Sequence, residues 1–208
     1  MGRSMKTLPM VWFRMRRTAL DLIEDRRGIA ATEFAVIVPI MLVMFFGTVE
    51  FSSGVAVDRK VTLIARTLSD LTSQSTTVGD SDMINFFAAS NAIMTPYSPT
   101  PTKATITELY IDPSTLKARV QWSKSATITS SGSVVLGAGH TVTSTISIPP
   151  QLAVGGAYLI FSEVSYVYVP TIGYVMAKTG VTLSDVSYTR PRQSTCVYYS
   201  PATACTTL

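Results

Sequence analysis

From Phe34 to Val49 the chain reads FAVIVPIMLVMFFGTV, sixteen residues without a charge, bordered by Glu33 and Glu50. As a helix this run is about 24 Å long, and begun at Ile29 it is about 32 Å, close to the thickness of a bilayer core. Pro39 and Gly47 would weaken a soluble helix, but membrane helices tolerate both, because neighbouring groups and water satisfy the freed carbonyl. Soluble helices are rarely apolar on every side. The run therefore reads as a transmembrane segment over about residues 30–51, with a buried core helix as the competing reading.

Charge supplies the orientation. Charged residues make up 14% of the chain, against about 25% in a typical soluble domain. Residues 1–28 hold Arg3, Lys6, Arg14, Arg16, Arg17, Arg26 and Arg27 against Asp21, Glu24 and Asp25, which accounts for the whole net charge of +4. The rest of the chain balances ten basic against ten acidic side chains. The pI of about 9.1 thus describes a leader. It argues against nucleic acid as a partner, because nucleic-acid-binding domains carry a positive stripe on the fold itself. Seven Lys/Arg precede the apolar run, while Arg59, Lys60 and Arg66 follow it. By the positive-inside rule the amino terminus stays in the cytoplasm and the carboxy-terminal part is exported, which implies the inner (cytoplasmic) membrane and a single pass. A cleaved secretory signal would need a small-x-small pattern after the apolar core, and Glu50-Phe51-Ser52-Ser53-Gly54 fits that poorly.

A plain anchor does not account for Arg26-Arg27-Gly28-Ile29-Ala30-Ala31-Thr32-Glu33-Phe34. A basic pair and a glycine stand directly before the apolar helix, and one carboxylate lies five residues beyond the glycine. The stretch looks like a prepilin-type processing site, cut after Gly28 by a membrane aspartic peptidase on the cytoplasmic side. Glycine suits an open, extended backbone at a scissile bond, and the arginines hold that bond at the cytoplasmic face. A carboxylate in an apolar helix is costly and needs a partner. The blander reading places Glu33 at the headgroup boundary of an ordinary anchor, where water reaches it.

The block Arg26–Phe51 resembles the TadE-like pseudopilins of tight-adherence (Flp-type) pilus systems. The shared pattern is a glycine, a short apolar lead, Glu-Phe or Glu-Tyr, an apolar run, then Gly and Glu-Phe. Here these are Gly28, Glu33-Phe34, Gly47 and Glu50-Phe51. Further likeness lies in Lys60-Val61-Thr62-Leu63, Ser69–Gln74, Glu163–Tyr166 and Tyr188–Arg192, while residues 75–155 carry none. The resemblance implies that Glu33, with Phe34, sets registration during assembly, its partner being the amine that cleavage creates on Ile29, its own or a neighbour's. It also implies as partners the lipid bilayer, a prepilin peptidase, and other pilins and pilus assembly proteins. The leader is long for this family, so that Met5, Met10 and Met15 are candidate starts. The exported part is larger than in a major pilin, which favours a minor or accessory subunit.

The expected fold is α+β: a single-pass amino-terminal helix extended into a pilin-like domain with an antiparallel sheet of about four strands. Residues 1–28 form the leader, 29–72 the helix and 73–208 the extracytoplasmic domain. Val61, Ile64, Ala65, Leu68 and Leu71 recur at three and four residues, so the outer half of the helix buries one stripe, with Arg59, Lys60, Arg66 and Asp70 facing elsewhere. Gly79-Asp80-Ser81 opens a second helix with Met83, Phe86, Phe87, Ser90 and Met94 inward, and Pro96, Pro99 and Pro101 end it. Ile106–Ile111 and Leu116–Trp122 flank the turn Asp112-Pro113-Ser114 and form a hairpin, one face on a core and one in water. Residues 123–148 read as a loop with short edge strands, residues 157–169 as a long central strand stopped by Pro170, and Val181–Tyr188 as the last strand.

Cys196 and Cys205 are the only cysteines, and export puts them in an oxidising compartment, so a disulfide is expected. Two cysteines and one histidine supply no structural zinc site, and no cofactor is implied. His140 reads as a solvated loop residue, Gly137-Ala138-Gly139 lacks the Gly-Lys-Ser/Thr of a phosphate loop, and no nucleophile pattern is present, so enzymatic activity is not expected. Against the pseudopilin reading stands a different class: an uncleaved membrane-anchored binding module for a ligand, glycan or protein.

Overall fold

The computed structural model describes residues 27–170, 180–205 and 207. The leader, Arg26 included, and residues 171–179 lie outside the described residues. The chain divides into two units, residues 1–49 and 50–208.

Helix α1 runs from Arg27 to Ser73 with Pro39 inside it. Within the first unit its side chains are largely exposed: Phe34, Met44 and Phe45 are each more than 60% exposed. Among the described residues it is the one helix long and apolar enough to cross a membrane. Its hydroxyls are satisfied internally, Thr32 Oγ1 donating to Ile29 O at 2.8 Å and Thr48 Oγ1 to Met44 O at 2.8 Å. That local bonding lets polar side chains sit on an apolar helix at little cost.

In the second unit, the same helix buries Val57, Val61, Ile64, Ala65 and Leu68 completely. Strand β1 (Thr77–Val78) and helix α2 (Asp80–Met94) follow. Asp82 Oδ2 accepts the N–H of Gly79 at 2.8 Å, which secures the α2 amino terminus. Lys60 does more than face away from the core: its Nζ donates to Ile93 O at 2.7 Å and Thr95 O at 2.8 Å, placing a cation on the last carbonyls of α2.

The sheet comprises β2 (Thr102–Ile111), β3 (Ala118–Ile128), β4 (Val134–Ala138), β5 (Thr145–Ile146), β6 (Tyr158–Tyr168) and β7 (Val181–Thr189). It is antiparallel in the order β4-β3-β2-β6-β7, with β5 beside β3. Among the described residues the sheet has six strands where about four were expected: residues 123–148 extend the hairpin's second strand to Ile128 and supply the expected short edge strands as β4 and β5. Gly139 permits the close passage after β4, since a Cβ there would stand 2.1 Å from Ser123 Oγ. A last short strand, β8 (Tyr198–Tyr199), pairs in parallel with β1.

The hairpin departs from one wet face and one dry face. Glu108 pairs with Trp122 but Leu109 with Val120, so Gln121 is an extra residue and the alternation changes face there. Trp122 and Ala126 join the helix-side core with Ile106, Ile160 and Val164. Ala118 and Val120 join a second cluster on the opposite face with Leu109, Ile111, Leu159 and Phe161. Ile146, Ile148, Leu152 and Ala157 cover that cluster, so the stretch read as a loop closes the back of the sheet. Phe161 and Tyr188 stack there, ring centres 4.8 Å apart.

Candidate functional site

The residues singled out by the sequence sit in the first two turns of α1. Gly28 lies within the helix rather than in extended backbone, and a Cβ on it would meet no atom within 4 Å. Helix formation there follows from the helix-forming residues beyond it, and the first turn carries no acidic side chain to hold its free N–H groups. A protease needing an extended strand would have to open one weakly held turn. Ile29 is 55% exposed and Phe34 69%. Glu33 is also exposed and is the single charged residue from Gly28 to Val49. Gly28, Ile29, Glu33 and Phe34 are thus close together on one short stretch of helix, all of them exposed.

The end of the apolar run is built differently. Glu50 is buried in the second unit, and Tyr168 packs nearby, its hydroxyl 3.5 Å from Glu50 O and its ring 3.6 Å from where a Gly54 Cβ would stand.

At the carboxy terminus, Cys196 and Cys205 are joined in a disulfide with Cα atoms 5.8 Å apart. Cys196 and Val197 are fully buried. Val197 is clamped on both backbone groups, its N–H donating to Glu108 Oε1 at 2.6 Å and its carbonyl accepting from Trp122 Nε1 at 2.6 Å. Burial pushes the Glu108 carboxyl up to about 8, despite the Val197 bond that favours ionisation. The segment also reaches both helices. Arg192 N–H donates to Ser73 O at 2.9 Å, its guanidinium pairs with Asp70 at 2.5 Å, and the Tyr199 hydroxyl bonds Asp80. That hydroxyl and Lys124 hold the Asp80 carboxyl below its ordinary range.

Sequence reading missed this clamp. Glu108 lies within the Ile106–Ile111 strand without any distinguishing local pattern, and a residue 89 positions away completes its environment. His140 was also misjudged as merely solvated. Its N–H donates to Ser123 Oγ at 2.9 Å, and its Nε2 meets the Glu163 carboxylate. No group of three or more potential metal-ligating side chains occurs among the described residues.

The described chain is therefore an α+β protein whose amino-terminal helix has the length and composition of a membrane anchor. The family model described as TadE-like protein matches residues 28–68, starting on Gly28 and including Glu33, Phe34 and Glu50. No curated protein and no solved structure matches the chain. The match likens residues 28–68 to TadE-like proteins, which supports a minor-pilin-like role at a membrane.

Proposed function

We propose that this protein is a TadE-like pseudopilin or minor pilin acting in the assembly of tight-adherence (Flp-type) pili, processed after Gly28 by a prepilin peptidase. The observation that carries the reading is the family match beginning at Gly28, on a helix whose apolar stretch from Phe34 to Val49 is largely exposed and whose single charged residue between Gly28 and Val49 is Glu33. The basic leader stays in the cytoplasm, α1 holds the inner membrane, and residues 73–208 stand outside. Cleavage leaves an amine on Ile29, one helical turn from Glu33. That separation suits pairing with the chain's own carboxylate or a neighbour's, and the pairing sets register as subunits associate. The role is structural and not catalytic.

Deletion of the gene followed by pilus imaging, together with a blot of the parent cells' sheared surface fraction with antibody against residues 73–208, tests the proposal. Pili are expected to be lost or shortened. The protein's presence in the sheared fraction marks a filament subunit, and its retention in the membrane an assembly factor. Pili unchanged in number and length contradict the proposal.

A further inference from the structure

A cleft of about 220 Å³ opens between the sheet and the carboxy-terminal disulfide loop. Its floor is Glu108 of β2 with Gln121 and Trp122 of β3, and Tyr198 and Tyr199 of β8 form a wall. The β-bulge assembles the floor. In regular pairing Gln121 and Trp122 would point to opposite faces, whereas the extra residue lets both line the cleft beside Glu108.

The chemistry of the lining narrows what fits. Glu108 and Gln121 are 2% and 6% exposed and each already bonds within the chain, Glu108 Oε1 accepting from Val197 N–H at 2.6 Å and Gln121 Nε2 donating to Arg119 O at 3.4 Å. A ligand polar at that end adds to these bonds, because carboxyl and amide oxygens each carry two lone pairs, whereas an apolar one gains no bond there. Trp122, Tyr198 and Tyr199 supply apolar ring surface alongside. Charge is already balanced within the chain. Lys124 Nζ lies 4.8 Å from the Tyr199 ring centre and 3.2 Å from Asp80 Oδ1, so the chain's own lysine occupies the cation position on that ring. Burial keeps Glu108 protonated at neutral pH, so the floor presents no charge for a cation to neutralise.

We propose that this cleft binds a neutral pyranose sugar, its C–H face on the aromatic wall and its edge hydroxyls on Glu108 and Gln121. A single ring with one apolar face and a polar edge matches both the lining and the volume. Larger glycans would extend past the rim at Ala204, which is exposed.

Trp12 and Trp122 are the two tryptophans, so Trp12→Phe makes Trp122 the sole indole reporter. The full chain in lipid nanodiscs free of sugar-based detergent is titrated with glucose, galactose, mannose and N-acetylglucosamine. At least one is expected to change Trp122 emission saturably, with half-saturation at roughly 0.1–10 mM, as befits a ligand this small. Ala204→Leu narrows the mouth from an exposed position without adding an indole and is expected to weaken that response about tenfold or more, with the circular dichroism spectrum retained. The proposal is overturned by the absence of a saturable change with all four sugars, or by an equal response in Ala204→Leu. Saturable binding of methylammonium in place of the sugars also overturns it.

Discussion

Glu33→Ala is expected to leave the protein in the membrane at its normal level while removing surface pili. Anchoring does not suffer, because a charged side chain costs roughly 2.5–3.5 kcal/mol near a membrane helix centre and alanine carries no such cost. Assembly is expected to suffer, because under the proposed processing the amine on Ile29 then enters an apolar environment without its carboxylate. Breaking such a pair by removing one partner costs about 3–5 kcal/mol, a factor of about a hundred or more in an association equilibrium. Glu33→Asp, which keeps the charge and shortens the reach, is expected to restore part of the loss. The readouts are a membrane-fraction blot for insertion and a sheared-fraction blot with pilus counts for assembly. Normal pili from Glu33→Ala cells would mean that Glu33 is an ordinary boundary residue.

The second large effect lies at the Val197 clamp. The Glu108 carboxyl stands near 8 in the folded chain against 4.5 for the exposed group, chiefly because burial disfavours the ionised form. The folded state therefore binds the proton more tightly than the unfolded state. Stability from this group is fully present below about pH 4.5, declines as pH rises towards 8, and is flat above that. The decline approaches about 1.4 kcal/mol per pH unit and totals on the order of 5 kcal/mol. Glu108→Gln keeps an acceptor for Val197 N–H and cannot ionise. Its unfolding midpoint, followed by Trp122 emission with Trp12→Phe, is expected to change little between pH 5 and 8, and at pH 8 to exceed that of the parent. Equal pH dependence in both proteins would show that Glu108 is not the titrating group.

Much of this architecture was legible in the sequence for a physical reason. The membrane helix is a matter of composition over consecutive residues, and the Val57–Leu68 stripe repeats at helical spacing, so local reading suffices. The turn at Asp112 is equally local. Its Oδ1 accepts Ser114 N–H and Ser114 Oγ, at 2.8 and 2.6 Å, which also holds its carboxyl down to about 2. What the sequence hid depends on tertiary contacts. Ala118, Val120, Trp122 and Ala126 keep an unbroken alternation, yet the extra residue at Gln121 sends the first two to one face and the last two to the other. Each face has its own cover, so apolar residues are favoured on both sides of the bulge and the pattern leaves no mark of it.

The candidate site divides the same way. Gly28, Glu33 and Phe34 stand within two helical turns and declare themselves by pattern, because a charge inside an apolar run is conspicuous. Glu108, Gln121, Trp122 and Tyr199 come from three strands and meet through a carboxy-terminal segment fixed by a disulfide. No spacing in the chain announces that meeting. Gly28 shows the opposite limit: its residue type suggested an extended backbone, while the helix-forming residues after it draw it into the first turn.

Removal of the leader after Gly28 is the step on which the proposed role depends. Peptide mass mapping of the protein extracted from membranes of cells with an active prepilin peptidase reads this directly. The expected result is a mature amino terminus at Ile29, with no peptide covering Arg26-Arg27-Gly28 joined to Ile29. A protein that keeps its leader intact in those cells would contradict it.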